Sequence, residues 1–201
     1  MIGIVSTGLS NTTSLRNAID SLNVKSFLIE EPSQILQADK ILLPGVGSFN
    51  EAIKRLKQKG LDKSILEAAE RGTPILGICL GMQLLADKGY EGGETKGLGL
   101  IPGEVKLIDN ENLKLPHMGW NNLEYQQSSD ILSIGFDNVD YYFIHSYQFI
   151  VKYSKHLIAT VDYGKQVSAV VAKDNVFGCQ FHPEKSQKSG LALLKSFIDN
   201  A

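Results

Sequence analysis

Residues 74–81 constrain the fold of this chain more than any other part of the sequence. Residues 74–78 are continuously apolar, as expected of a parallel strand that helices cover on both faces. The strand runs into Gly-Ile-Cys-Leu-Gly at residues 77–81, which has the form of the Gly-x-Ser-x-Gly nucleophile elbow with Cys79 in place of serine. Such a tight strand-to-helix turn predicts an α/β sheet with a thiol presented at the carboxyl edge of its strands.

The spacing of apolar residues elsewhere is consistent with that fold. The first half is predicted to form strands at residues 2–5, 27–29 and 41–43, and helices around residues 15–22, 51–59, 62–71 and 82–88. Strands that alternate with helices indicate an open, mostly parallel sheet flanked by helices. Between residues 100 and 180 the runs are short and rich in Val, Ile, Tyr and Phe, which predicts added β-hairpins, one of them turning at residues 174–175. A final helix is predicted at residues 189–198.

Length and composition favour one soluble domain. The sequence has 201 residues, of which 43% are hydrophobic, so residues 1–201 can build a single core. Its 20 basic and 22 acidic side chains lack the basic excess that nucleic acid or an anionic membrane surface would require. Two cysteines are too few for a disulfide framework or a metal cluster, and no cofactor is implied. Without a membrane-length apolar run or a signal-peptide pattern, we expect a cytoplasmic protein.

A second motif near the C-terminus provides a base for the thiol. Phe-His-Pro-Glu at residues 181–184 follows an apolar strand, so His182 is also expected at a strand end. His182 can accept the thiol proton and later deliver it to a leaving amine, while Glu184 holds the imidazole tautomer. A helix that begins after Cys79 would favour its thiolate. Alone, the motifs could be a buried structural cysteine and a surface histidine. Together they predict a Cys-His-Glu triad.

A glycine-containing loop follows the third predicted strand. Residues 43–49 read Leu-Pro-Gly-Val-Gly-Ser-Phe, and the two glycines would allow backbone N–H groups to turn toward a developing oxyanion. An ordinary loop ahead of the next helix is the alternative, and the loop alone does not separate the two interpretations.

Five stretches of the sequence resemble known proteins, in order along essentially the whole chain. Residues 44–47, 77–83 and 180–186 resemble the class I, or triad, glutamine amidotransferases. Lys-Leu-Pro-His-Met-Gly-Trp-Asn at 114–121 and Tyr-Phe-Ile-His-Ser-Tyr at 142–147 are similar to the glutaminase subunits of imidazole glycerol phosphate synthases. The resemblance implies a flavodoxin-like sheet and a glutaminase that supplies ammonia to histidine biosynthesis.

The resemblance also implies a role for each matching residue. Cys79 would attack the side-chain amide of glutamine and form a thioester, with His182 as general acid and base and Glu184 orienting it. Water would then hydrolyse the thioester to glutamate. The remaining residues would supply the oxyanion hole (Val46, Gly47 and Leu80) or bind the α-amino and α-carboxylate end of glutamine (Gln83, Glu91, Ser146 and Tyr147).

A partner protein is a further implication. Free ammonia is protonated at neutral pH and is a poor nucleophile in bulk water, so the family docks its glutaminase on a (β/α)8-barrel cyclase subunit, as a heterodimer, and passes ammonia through the barrel. Without its partner, such a subunit is expected to have almost no glutaminase activity. The docking face is expected around the mouth of the triad site at Asn11, Pro116, Met118, Trp120, Asn121, Tyr142, His145 and Lys185.

Two departures from the family pattern leave another pathway open. Many relatives read Asp-Tyr-Gly-x-Gly-Asn where this chain has Ser-Thr-Gly-Leu-Ser-Asn at residues 6–11, and many carry arginine where this chain has Gln148. Either change could alter the surface that contacts the partner. The alternative is therefore a paralogous glutaminase that supplies ammonia for amidation of a surface sugar. A cysteine hydrolase that uses the same elbow is a more distant alternative, as is a non-catalytic binding subunit.

Overall fold

The computed structural model describes residues 1–8, 12–109, 113–131 and 139–201, so Asn11 of the expected docking face lies outside the described residues. The strands of this part of the chain are β1 (Ile2–Val5), β2 (Ser26–Ile29), β3 (Lys40–Gly45), β4 (Ile75–Cys79), β5 (Lys88–Gly89), β6 (Thr95–Lys96), β7 (Gly103–Leu107), β8 (His117–Asn122), β9 (Glu124–Tyr125), β10 (Asp140–His145), β11 (Tyr147–Val151), β12 (Leu157–Asp162), β13 (Gln166–Lys173) and β14 (Val176–Cys179). The helices are α1 (Thr12–Ser21), α2 (Phe49–Gln58), α3 (Leu61–Glu70), α4 (Leu80–Leu84) and α5 (Gln187–Asn200).

The main sheet of the described chain has the strand order β2-β1-β3-β4-β14-β13-β12-β9. Its first five strands run parallel, and β13, β12 and β9 extend it antiparallel. The parallel half has the order typical of flavodoxin-like folds. The predicted α/β sheet with added hairpins is therefore confirmed. The hairpin between β13 and β14 turns at Asp174, whose φ is +52°.

Helices cover both faces of the parallel strands. On one face, apolar residues of α1 and α5 pack in one cluster with strand residues such as Leu76 and Ile78. On the other face, α2 and α3 pack against residues such as Leu43 and Ile75. In α2 the buried positions recur every three or four residues, as an amphipathic helix requires, at Phe49, Ala52, Ile53 and Leu56. Because every residue of β4 is buried, the elbow at its end has a rigid base.

The predicted helix at residues 82–88 is wrong beyond Leu84. Helix α4 ends there, and Lys88–Gly89 instead pair with β6 and β7 as strand β5. The chain folds back at residues 97–101 and donates N–H groups to the carbonyls at the end of α4: Leu98 N–H to Leu84 O, and Leu100 N–H to Leu85 O, both at 2.9 Å. These bonds satisfy carbonyls that a longer helix would have used.

Candidate active site

Cys79 lies in a strained turn between β4 and α4. Its φ of 54° and ψ of −112° fall outside the regions that L-residues ordinarily adopt. The flanking glycines make the turn possible, because a Cβ on Gly77 would lie 2.6 Å from the Gly81 carbonyl oxygen, and one on Gly81 would lie 1.7 Å from Leu43 O. The elbow therefore packs directly on β3 and β4, with Cys79 at the carboxyl edge of the parallel strands.

His182 and Glu184 lie beside this thiol. His182 Nδ1 is 2.7 Å from Glu184 Oε1, and both side chains are only 6% exposed. Burial alone would lower the pKa of His182, but hydrogen bonds to Cys79 and Glu184, with the charges of both groups, outweigh it and raise the pKa to about 10. At neutral pH the imidazole therefore holds a proton, which it can donate in general acid catalysis.

Backbone contacts hold His182 in this position. Its N–H donates to Tyr142 O of β10 at 2.9 Å. The Ser186 hydroxyl donates to His182 O at 2.7 Å and accepts from the Tyr142 N–H at 2.9 Å. A 3₁₀ turn at Pro183–Lys185 brings Glu184 back against the imidazole. The His-Pro-Glu motif thus places a base and its carboxylate together through local structure.

A cavity of about 400 Å³ lies over Cys79, within the range of small-molecule sites. Both Cys79 and His182 line it. The structure also brings together here ten of the other residues that the sequence predicted for this site: Val46, Gly47, Leu80, Gln83, Glu91, Pro116, His145, Ser146, Tyr147 and Lys185. Gly47 has a φ of +95°, which favours glycine. The role of the Val46–Gly47 loop as an oxyanion hole stays a prediction.

Two side chains expected to bind glutamine already have partners within the protein. Gln83 Nε2 donates to Tyr147 O at 3.1 Å and to Gln180 Oε1 at 3.0 Å. Glu91 Oε2 accepts from the Phe49 N–H at 2.7 Å, at the first residue of α2. Both side chains still line the cavity, and their contacts with a substrate stay a prediction.

Comparison with known proteins identifies the family. The model of the family described as "Glutamine amidotransferase class-I" matches residues 4–201. The chain belongs to this family. Among similar curated proteins, the "Imidazole glycerol phosphate synthase subunit HisH" of Oceanobacillus iheyensis is 46% identical over 197 residues, 98% of each chain. Those of Streptococcus gordonii and Moorella thermoacetica are 45% and 41% identical, over 98% of this chain and 95% and 93% of their own.

Solved structures show the same fold at lower identity. A glutamine amidotransferase crystal structure superposes with a TM-score of 0.78 at 18% identity, covering 98% of this chain and 97% of the other. A chain of the PurLQS structure from Thermotoga maritima gives a TM-score of 0.77 at 20% identity, with the same coverage. At these identities the likeness concerns the fold alone.

Four residues of this amidotransferase form an exposed patch beside the cavity. Met118 and Trp120, on one face of β8, are 58% and 48% exposed. The Trp120 ring contacts Tyr142 edge-on at a centroid distance of 5.9 Å, and Lys185 Nζ lies 5.9 Å from the Tyr142 ring centroid. Because Lys185 also lines the cavity, the patch adjoins the cavity. We call Met118, Trp120, Tyr142 and Lys185 the aromatic patch.

Two residues expected on the docking face point elsewhere. Asn121 lies on the opposite face of β8 from Trp120, and its side chain donates to Asp162 O at 2.8 Å. His145 is only 6% exposed and offers almost no surface to a partner. Its Nδ1 is 2.8 Å from Tyr147 O, and its Nε2 is 3.0 Å from His117 Nδ1. Burial lowers the pKa of both histidines to about 4, so both are neutral at pH 7.

Gln180 is the site residue that the sequence analysis missed. It is fully buried, its Nε2 lies 3.7 Å from Cys79 Sγ, and its Oε1 accepts from Gln83. A sequence signal was present, since a glutamine directly after the apolar run of β14 is a polar group that needs partners once buried.

Outside the gaps at residues 9–11, 110–112 and 132–138, no group of three or more His, Cys, Asp or Glu side chains could hold a metal ion. Within the same ranges, none of the helices has the length and apolar character needed to span a bilayer.

Proposed function

We propose that this chain is the glutaminase subunit of an imidazole glycerol phosphate synthase and hydrolyses glutamine to glutamate and ammonia. The observation that carries the proposal is full-length similarity, at 41% to 46% identity, to curated subunits of that synthase. The thiol and imidazole that line the cavity, with the carboxylate bound to the imidazole, are the groups that this reaction needs. We also propose that residues 1–201 act as one amidotransferase domain, in the cytoplasm.

The first half of the reaction forms a thioester. The Cys79 thiolate attacks the amide carbon of the glutamine side chain, and backbone N–H groups of Leu80 and the Val46–Gly47 loop hold the oxyanion. The carbon–nitrogen bond breaks as the nitrogen takes the proton from His182, so that ammonia leaves. The raised pKa of His182 supports this step, because the proton is in place before the substrate binds.

The second half restores the enzyme. A water molecule attacks the thioester carbon while neutral His182 takes its proton, and the carbon–sulfur bond breaks. Glutamate leaves, and Cys79 and His182 return to a thiolate and an imidazolium that Glu184 stabilises. One glutamine and one water give one glutamate and one ammonia. Gln83, Glu91 and the main chain of Ser146 and Tyr147 would bind the α-amino and α-carboxylate groups.

The partner in this proposal is a (β/α)8-barrel cyclase subunit that docks on the aromatic patch. Two large apolar side chains exposed on one strand, with a tyrosine beside them, are typical of the core of a protein interface. Because the patch adjoins the cavity that holds Cys79 and His182, a partner bound there would close the mouth of that cavity and receive ammonia before bulk water protonates it.

The test measures glutamate release by the purified chain with and without a histidine-pathway barrel subunit and its nucleotide substrate. We expect strong stimulation by the loaded partner and complementation of a strain that lacks the histidine-pathway glutaminase. Labelling of Cys79 by a glutamine-analogue electrophile without stimulation or complementation would favour the surface-sugar paralogue. Turnover of peptides or esters in place of glutamine would instead indicate a cysteine hydrolase.

A further inference from the structure

A chain of hydrogen bonds ends on the nucleophile, and its direction is fixed. The Tyr147 carbonyl can only accept, so Gln83 must present its Nε2 to it, at 3.1 Å. The same Nε2 donates to Gln180 at 3.0 Å, so the atom of Gln180 that faces it is Oε1. Gln180 Nε2 therefore faces Cys79 Sγ, 3.7 Å away. The orientation of both amides follows from one backbone acceptor.

Burial prevents the amide of Gln180 from turning over. Gln180 is fully buried and does not line the cavity, so it cannot replace a lost partner with bulk water. A reversed Gln180 amide would set its carbonyl oxygen against the thiolate and its N–H against the N–H of Gln83. Unpaired polar groups are costly in such surroundings, and the observed orientation is the one that leaves none.

The Tyr147 carbonyl is itself held from its other side. His145 Nδ1 lies 2.8 Å from it and must carry a proton to donate. His145 Nε2 is then an acceptor, which His117 Nδ1 meets at 3.0 Å. Two neutral histidines, His117 at the start of β8 and His145 at the end of β10, therefore hold the Tyr147 carbonyl in place.

Stabilisation of a thiolate here depends on side-chain donors. Helix α4 has five residues, so the helix dipole expected to favour the Cys79 thiolate is short and contributes little. The imidazolium of His182 is one donor to the sulfur. The amide of Gln180 is a second, and a hydrogen bond to a charged group is stronger than one to a neutral group.

We propose that Gln180 is a further catalytic residue, whose amide N–H stabilises the Cys79 thiolate and whose carbonyl holds Gln83 in the cavity wall. The effect on substrate binding rests on the proposed glutaminase function. The effect on the thiolate does not, because the reactivity of Cys79 can be measured without glutamine.

The test uses Gln180→Met, which removes the amide N–H and carbonyl of this side chain at similar volume, and Gln83→Met, which removes the donor that fixes the orientation of the Gln180 amide. Thr160→Val is the matched control, since the buried Thr160 hydroxyl on β12 bonds to Gln126 and to Glu124 O, away from the cavity. All are made in a Cys179→Ala background, so that Cys79 is the only cysteine of the 201-residue chain.

The first readout is the rate of iodoacetamide alkylation of Cys79 against pH, with thermal unfolding as the check on folding. We expect Gln180→Met to move the alkylation profile to higher pH by about one unit or more, Gln83→Met to move it by less, and Thr160→Val to leave it within a few tenths. An unchanged profile in folded Gln180→Met would overturn the proposal. Gln180→Leu replaces that variant if it does not fold.

The second readout is glutamate release with the barrel partner. We expect Gln180→Met to lower kcat by about tenfold or more and to raise KM, whereas Gln83→Met mainly raises KM. A Gln180→Met variant that raises KM alone would overturn the thiolate role. If the parent protein releases no glutamate, the proposed function fails while the alkylation profile still decides the role of Gln180.

Discussion

Glu184 contacts His182 through a 2.7 Å bond between Oε1 and Nδ1, although a single residue separates them in the chain. The 3₁₀ turn at Pro183–Lys185 makes this possible. Because Nδ1 is bound to the carboxylate, Nε2 is the imidazole nitrogen left for Cys79. The contact with Glu184 thus determines the orientation of the imidazole and the nitrogen, Nε2, that exchanges a proton with Cys79.

Replacing Glu184 with glutamine removes the negative charge beside His182 but keeps the size of the side chain. We expect the pKa of His182 to fall, because the carboxylate is one of the two groups that raise it, and glutaminase activity to fall by roughly 10²- to 10⁴-fold. An NMR titration of the His182 ring and a glutamate-release assay measure the two effects. Unchanged activity in a folded variant would show that Glu184 does not assist the base.

The buried pair of His117 and His145 should make the fold sensitive to acid. Both pKa values are lowered from 6.5 to about 4, so the unfolded chain binds more protons between these values. The stability that neutral imidazoles contribute is complete above pH 6.5 and is lost as the pH falls through 4.

His117→Asn tests this linkage, because asparagine keeps a donor toward His145 but cannot titrate. We expect the urea midpoint of the variant to fall less than that of the parent between pH 7 and pH 4. Equal losses in both proteins would contradict the assignment. His182 acts in the opposite sense, since its raised pKa adds stability below pH 6.5 that is lost as the pH rises toward 10.

Gly81→Ala should destabilise the elbow severely. The added Cβ would lie 1.7 Å from Leu43 O, so β3 or the turn must move, at a cost of more than about 3 kcal/mol. Gly45→Ala is the milder variant for comparison, because the Cβ added there would lie 3.1 Å from its nearest neighbour, Leu80 Cβ. Urea unfolding compares the two variants. Equal, small losses would show that the elbow has room for a side chain.

Trp120→Ala should weaken partner binding and leave the isolated chain stable. Removal of a large aromatic anchor typically costs about 2 kcal/mol or more, which is roughly a 30-fold loss of affinity. Tyr153→Ala is the control, because Tyr153 is 46% exposed and is not part of the aromatic patch. Titration with the barrel subunit measures both. Unchanged affinity for Trp120→Ala would place the interface elsewhere.

Features that depend only on residues close together in the sequence were predictable. The apolar run of β4 and the glycines at positions 77 and 81 were enough to predict the strand and the elbow. His182 and Glu184 are two residues apart, so their contact depends on one turn rather than on the whole fold.

Features that depend on distant segments were not predictable. Helix α4 ends at Leu84 because residues 97–101 fold back on its last carbonyls. His145 was expected on the surface, but the pairing of β8 with β10 places it against His117. Gln180 meets Cys79 only because β14 lies beside β4, and no local pattern shows which donor will face the sulfur.

The two cysteines of the chain, which are both buried, allow a decisive test of Cys79 as the nucleophile. Glutamate release is measured for Cys79→Ala and Cys179→Ala with the barrel subunit and its substrate present. We expect no release above background for Cys79→Ala and near-parental release for Cys179→Ala. Release retained by a folded Cys79→Ala variant would contradict that role.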